Sequence, residues 1–272
     1  MSEKRTAVCL ASSFLGHYAH SGFLNELDRG GLRPSRIAGA SAGALAGGLW
    51  AGGLRGEALE EEICDIDFRR AFGDWGFLLR LPGLLTWSYA NGLLGGGRMR
   101  RRLMRLLGGG RLEELRAPSL EIAVANLSRR AGEIRTHGPL VELIVASISM
   151  PVVYRARRID GDWLADGGVS NETPYAHWLE DETIDRIVIH RIRFPARPTE
   201  RMRLGGVLAA CHAIPNRELE DRRRRDAERC GKEVIFLTTE LPQPPVFHRA
   251  CDGRRMIEAG RATARKWMTN EE

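Results

Sequence analysis

The stretch Ile37-Ala38-Gly39-Ala40-Ser41-Ala42-Gly43-Ala44-Leu45 constrains the fold more than any other part of the chain. It sets one serine between glycines and alanines, directly after a hydrophobic step. Gly-x-Ser-x-Gly in that setting is the sequence form of a strand that turns sharply into a helix, where small residues on both sides keep the strained turn free of clashes. Such a turn presents the serine hydroxyl at a helix N-terminus, where free backbone N–H groups and the helix dipole favour negative charge. Residues 35–38 can end a strand, and Ala42–Trp50 is predicted to be a helix of small residues packed close to a sheet. With 31 glycines and 12 serines in 272 residues, the pattern is expected by chance roughly 0.15 times. Ser41 therefore needs a second constellation before it reads as a nucleophile.

The length suits one large α/β domain with a sizeable core, and 43% hydrophobic and 28% charged residues are ordinary for a globular chain. The net charge is +6, and 38 arginines stand against three lysines. Arginine binds phosphate and carboxylate with a planar fork, and a positive excess is compatible with an anionic lipid surface. The excess of arginine over lysine is read here as GC-rich coding bias, and no nucleic-acid partner is expected. Five cysteines form no Cys-x-x-Cys pair, so neither a disulfide framework nor a zinc site is expected, and a reducing, cytoplasmic setting is. No apolar run reaches the roughly 18 residues of a spanning helix. Lys4-Arg5 ahead of "TAVCLASSFLG" has the outline of a short signal peptide, but the segment is taken as a first strand and its loop.

Along the chain, Thr6–Ala11, Ser119–Ser128, Glu133–Thr136, Arg186–Ile192 and Glu233–Thr238 are predicted strands, the third pairing with the second. His17–Arg29, Glu57–Arg70, an arginine-rich segment up to Leu107, Leu140–Met150 and a closing stretch from Arg254 to Met268 are predicted helices. Arg217–Arg229 is predicted to be a charged helix with a solvated face. Phe72–Leu94 is rich in Trp, Leu and Gly, is broken by Pro82 and has no clean period; it reads as an irregular apolar excursion. Strands alternating with helices predict an α/β sheet with helices on both faces.

A serine nucleophile needs a proton acceptor. In the order Ser, acid, His, the late His212 and His248 are the triad candidates, and an unrelated α/β-hydrolase using one of them stays open. The carboxylates offer a sharper signal in "WLADGGVSNETP", where Asp166 precedes Gly167-Gly168. Asp-Gly-Gly by itself is ordinarily a hairpin turn.

In company, these stretches resemble the patatin-like phospholipase family. "GASAG" resembles its nucleophile elbow, and "LADGGVSNETP", with Asn171 and Pro174, its Asp-Gly-Gly block. "ASISMPVVYRA" (Ala146–Ala156) resembles the helix end before that block. "FLGHYAHSGFLNEL" (Phe14–Leu27) resembles the loop and helix after the first strand, and "IEAGRATARKW" the last helix. The resemblance covers nearly the whole chain. It implies a patatin-like three-layer α/β/α sandwich with a mostly parallel central sheet, spanning 1–272 as one domain. It implies a lipid acyl hydrolase acting as phospholipase A, lysophospholipase or carboxylesterase on phospholipid or other acyl-ester lipids, without cofactor or metal. The apolar excursion, with Trp75, Trp87 and Tyr89, is expected to cover the acyl site or make peripheral contact with the membrane interface, and Arg80 to meet phosphate. Ser41 would be the nucleophile and Asp166 its base. The motif glycines would be Gly16, Gly39, Gly43, Gly167 and Gly168. The oxyanion hole would draw on the backbone of Ser12, Ser13 and Phe14 and on Ala42. One departure is plain: the family's Gly-x-Gly-x-x-Gly loop here reads Ala11-Ser12-Ser13-Phe14-Leu15-Gly16. A patatin-fold protein with impaired catalysis that binds lipid or a protein partner is the alternative this departure keeps open.

Overall fold

Short apolar runs buried on both faces make the central strands of parallel sheets. The segment Thr6–Leu10 is fully buried and Arg36–Ala40 nearly so. The computed structural model describes residues 4–86, 91–195, 204–242 and 250–271. Trp87, Tyr89 and His248 lie outside the described residues, as do the side chains of Leu84, Leu85 and His212.

In chain order the elements are β1 (Thr6–Leu10), α1 (His17–Arg29), β2 (Arg36–Ala40), α2 (Ala42–Ala51), α3 (Gly56–Cys64), α4 (Ile66–Arg70), α5 (Phe77–Leu85), β3 (Gly92–Leu94) and α6 (Gly97–Leu107). There follow β4 (Ser119–Asn126), β5 (Ala131–Arg135), α7 (Leu140–Ser147), β6 (Val152–Tyr154), β7 (Arg157–Ile159), β8 (Asp162–Asp166), β9 (Arg186–Arg193), α8 (Leu204–Arg229), β10 (Glu233–Glu240) and α9 (Ala250–Glu271). Among the described residues one eight-stranded sheet runs β10-β9-β1-β2-β4-β8-β7, with β5 also on β4. From β10 to β4 every pairing is parallel, and β5, β7 and β8 add antiparallel ones.

Strand alternation sends side chains to two cores. Val8 and Leu10 join the larger core with α1, α2, α7 and α9, while Ala7 and Cys9 face the smaller core built around Tyr175, Trp178 and Ala227 of α8. Helices α1 and α9 cross almost backbone to backbone. A Cβ on Gly22 would lie 2.1 Å from the Ile257 carbonyl oxygen, and one on Gly260 would lie 2.0 Å from that of Ala19. Beside the crossing, Arg265 pairs with Glu26 at 2.9 Å.

Three sequence expectations change. Glu57–Arg70 is two helices, because Asp65 adopts extended backbone and its carboxylate caps α4 by accepting the Asp67 and Phe68 N–H groups. The helix from Leu140 stops at Ser147, ahead of Pro151. Within the apolar excursion Phe77–Leu85 is helical through Pro82. No apolar period marks α5, because its apolar Phe77, Leu78, Leu79 and Leu81 are exposed while Arg80 and Gly83 take inner positions. Leucine favours helix without burial.

No described helix is long and apolar enough to cross a membrane. Gly260→Ala should cost about 2 kcal/mol of stability by forcing α1 and α9 apart, read as a lower urea midpoint. An unchanged midpoint would contradict the close crossing.

Candidate active site

Register brings the two motifs together. Ala40 of β2 lies opposite Ala123 of β4, and Val124 of β4 lies opposite Asp166 of β8. Ser41 and Asp166, 125 residues apart, therefore flank the same strand, and Ser41 Oγ donates to Asp166 Oδ2 at 2.7 Å.

The elbow is strained at the serine itself. Ser41 has φ 51° and ψ −116°, a region that non-glycine residues rarely enter. The flanking glycines serve space rather than dihedral freedom. A Cβ on Gly39 would sit 2.5 Å from the Gly43 carbonyl, and one on Gly43 would sit 2.1 Å from that of Leu10. On the other arm, a Cβ on Gly167 would meet the Ala123 carbonyl at 2.1 Å, and one on Gly168 would meet Ser12 Oγ at 2.3 Å.

Hydrogen bonds hold the strained turn. The Ser41 N–H donates to Ser147 Oγ at 3.0 Å, and Ser147 Oγ donates to the Ala123 carbonyl at 2.8 Å. The Leu45 N–H donates to the Ser41 carbonyl at 3.0 Å. Asp166 Oδ1 accepts the Gly168 N–H at 2.7 Å, and the Asp166 N–H donates to the Ser149 carbonyl at 3.0 Å. Asn216 of α8 donates to the Gly168 carbonyl at 3.2 Å.

Asp166 is 4% exposed. Burial lifts its carboxyl from 3.8 to about 7, against the pull of the hydrogen bonds from Ser41 and Gly168. Glu172, close by, is likewise raised to about 7, first by burial and then by the charges of Glu220 and Asp166.

The loop after β1 needs one correction. The Ser12 N–H donates to the Glu172 carbonyl at 2.8 Å, so it is not free to face an oxyanion. Among the described residues, the N–H groups of Ser13, Phe14 and Ala42 have no such acceptor. Neither Ser12 nor Ser13 has a positive φ; the left-handed residue of this loop is Leu15, at φ 53°. Serine therefore replaces glycine here without backbone strain. Ser13 Oγ fills the space over Gly16, 1.7 Å from where a Cβ would stand, and is buried without a partner among the described residues.

The loop is anchored from beneath by a residue the sequence did not flag. His20 Nε2 donates to the Ala11 carbonyl at 2.9 Å, since a carbonyl only accepts. Its Nδ1 then accepts from His190 Nδ1 at 2.9 Å. Burial lowers both histidines, His20 to about 4, so both are neutral. No described histidine reaches Ser41 Oγ, whose partner is Asp166.

Beside Ser12 opens a cleft of about 510 Å³, lined by Glu172, Arg191, Arg193, Asn216, Arg217 and Glu220 among others. Its α8 wall departs from the predicted solvated face. Glu220 turns inward to accept from Arg191 at 2.9 Å, and Arg223 donates to Asn171 and to the Thr173 carbonyl. Arg80, a candidate phosphate contact within the apolar excursion, is held internally by Asp74 at 2.6 Å and the Leu93 carbonyl at 2.8 Å. Among the described residues no three His, Cys, Asp or Glu side chains converge as metal ligands would.

The family model described as patatin-like phospholipase matches residues 9–177. An uncharacterised NTE family protein of Mycobacterium tuberculosis is 30% identical over 179 residues, covering 64% of this chain and 46% of its own length. One of Mycobacterium bovis matches to the same extent. The chain thus spans about half the length of these relatives. The crystal structure of VipD from Legionella pneumophila superposes with a TM-score of 0.52 at 14% identity, over 99% of this chain and 67% of that one, a likeness of fold.

The raised Asp166 carboxyl sets a pH dependence of stability. The folded state keeps a proton that the unfolded state releases between pH 3.8 and about 7, so stability should fall as pH rises through that window. Asp166→Asn should remove much of this slope in urea titrations at a series of pH values, Glu172 supplying the remainder. An equal slope in wild type and variant would contradict the burial account.

Proposed function

The chain belongs to the patatin-like phospholipase family, and on that premise we propose that it is a lipid acyl hydrolase with Ser41 as nucleophile and Asp166 as general base. One observation carries the reading: a strained, half-buried serine whose hydroxyl donates at 2.7 Å to a buried carboxylate.

The chemistry follows from that contact. Ser41 Oγ attacks the acyl ester carbonyl while Asp166 Oδ2 takes its proton. A carboxylate near its ordinary 3.8 is too weak a base for this step; one raised to about 7 is matched to neutral pH. The N–H groups of Ser13, Phe14 and Ala42 face the developing oxyanion. Asp166 returns the proton to the leaving alcohol, and water, deprotonated by the same carboxylate, then releases the fatty acid. The charged cleft beside Ser12 receives the polar part of the substrate, a phospholipid or another acyl-ester lipid.

The apolar helix α5, with Trp75 just ahead of it, fits an interfacial role. Trp75 is 75% exposed, Leu78 59% and Leu79 80%, and side chains of this kind sit favourably where water meets lipid. In this reading they rest on the lipid surface that supplies the substrate.

Kinetics on a short-chain ester and on phosphatidylcholine test the proposal. Ser41→Ala and Asp166→Asn should each lower kcat/KM by about 1,000-fold or more, with melting temperature preserved. Wild-type kcat/KM should rise with pH through about 7 as Asp166 ionises. Near-wild-type turnover by Asp166→Asn would sink the dyad, and a wild type with no turnover of any ester would favour the catalytically impaired alternative.

A further inference from the structure

Helix α6 carries five arginines in eight residues, Arg98, Arg100, Arg101, Arg102 and Arg105. Two are answered by acids. Arg100 pairs with Glu142, and Arg102 pairs with Glu62 at 2.5 Å. The other three fall on one face, at spacings of three and four residues, opposite the buried Met99 and Leu103. They are exposed, and among the described residues none has a carboxylate within ion-pair distance.

That face is one wall of a cleft of about 270 Å³, lined by Arg70, Arg98, Arg101, Arg102 and Arg105, with Asp67 and Ala71. Arg70 and Asp67 lie 3.9 Å apart and are largely exposed. The lining thus sets five guanidiniums against one carboxylate. Arg98 moreover stands in the first turn of α6, whose dipole adds positive potential rather than offsetting it. Arg98, Arg101 and Arg105 lack counter-charge among the described residues and suit an external anion.

Its neighbour identifies which anion. Asp74 ties the α5 segment to the approach to α6: it accepts from the Gly76 N–H, from Arg80 and from the Gly95 N–H at 2.9 Å. The exposed Trp75, Leu78 and Leu79 therefore belong to a segment pinned beside the arginines. Bare indole and leucine next to unpaired guanidiniums match an interface of acyl chains under phosphate headgroups. A nucleic-acid backbone supplies the phosphates but offers nothing for exposed leucines.

We propose that the α4–α6 arginine cleft, with α5 beside it, docks the protein on anionic phospholipid surfaces. The proposal rests on the lipid-surface reading of α5 and adds to it a preference for negative headgroups, supplied by Arg98, Arg101 and Arg105. Arginine excess that looked like coding bias in the sequence is, in this segment, a placed charge.

Vesicle flotation tests it on the Ser41→Ala background, where binding is read without turnover. The result thus stands apart from whether Ser41 hydrolyses esters. Vesicles of phosphatidylcholine alone are compared with vesicles that also contain phosphatidylglycerol. The parent should bind the anionic vesicles far more tightly, and added salt should weaken that preference. Arg98→Gln, Arg101→Gln and Arg105→Gln together should lower binding to anionic vesicles about 100-fold and leave binding to neutral vesicles as it was. The three lysine substitutions should restore anionic binding, because a headgroup layer reads point charges. Equal anionic binding by the glutamine variant and the parent would overturn the proposal. So would a folded lysine variant that fails to rescue, or tighter binding to single-stranded RNA than to anionic vesicles.

Discussion

The hydrogen bond from Ser41 Oγ to Asp166 Oδ2 reaches across β4, and most of the structure serves that reach. Strands β2 and β8 flank β4 in opposite directions. Two side chains from such strands meet only if both turns fold back over the strand between them. The elbow does so with its left-handed serine, and the Asp166 turn does so by pressing Gly167 onto the Ala123 carbonyl. The same enclosure that brings the groups together strips Asp166 of water. Register supplies the proximity and burial the raised carboxyl, so a more open site would lose the second.

Strain of this sort costs about 1–3 kcal/mol and persists only where surroundings over-determine it. Ser147 is the chief restraint. One hydroxyl accepts the Ser41 N–H and donates to the Ala123 carbonyl, so it ties the elbow to the strand that the dyad spans. Ser149 does the equivalent for the other arm through its carbonyl, which accepts the Asp166 N–H. Below the β1 loop, the neutral His20–His190 pair holds the Ala11 carbonyl by a bond whose direction the acceptor dictates. Protonating His20 would set two N–H groups face to face, and burial opposes that by lowering both histidines.

Much of this was legible from residue order. Alternating apolar strands and the two glycine-flanked motifs carried the sheet, α1 and the meeting of Ser41 with Asp166. The remainder depended on surroundings. Ser147 and Ser149 look like ordinary small residues near a helix end, and only their hydrogen bonds mark them. Ser12 and Phe14 look equivalent as donors until the Glu172 carbonyl engages one of them. Helix α5 escaped prediction because its described apolar side chains face outward and Arg80 and Gly83 face inward, so no apolar burial period marks it. Glu220 and Arg223 sit in a run of charges that reads as solvated, yet they turn inward toward Arg191, Asn171 and Thr173.

Site-resolved labelling with a fluorophosphonate tests the central claim most directly, because it reports the nucleophile and its base without assuming a substrate. Peptide mapping should find the adduct on Ser41, and the labelling rate should rise with pH through about 7 as Asp166 loses its proton. Asp166→Asn should nearly abolish the reaction. An adduct on another residue, or Ser41 labelling indifferent to both pH and Asp166, would contradict the account.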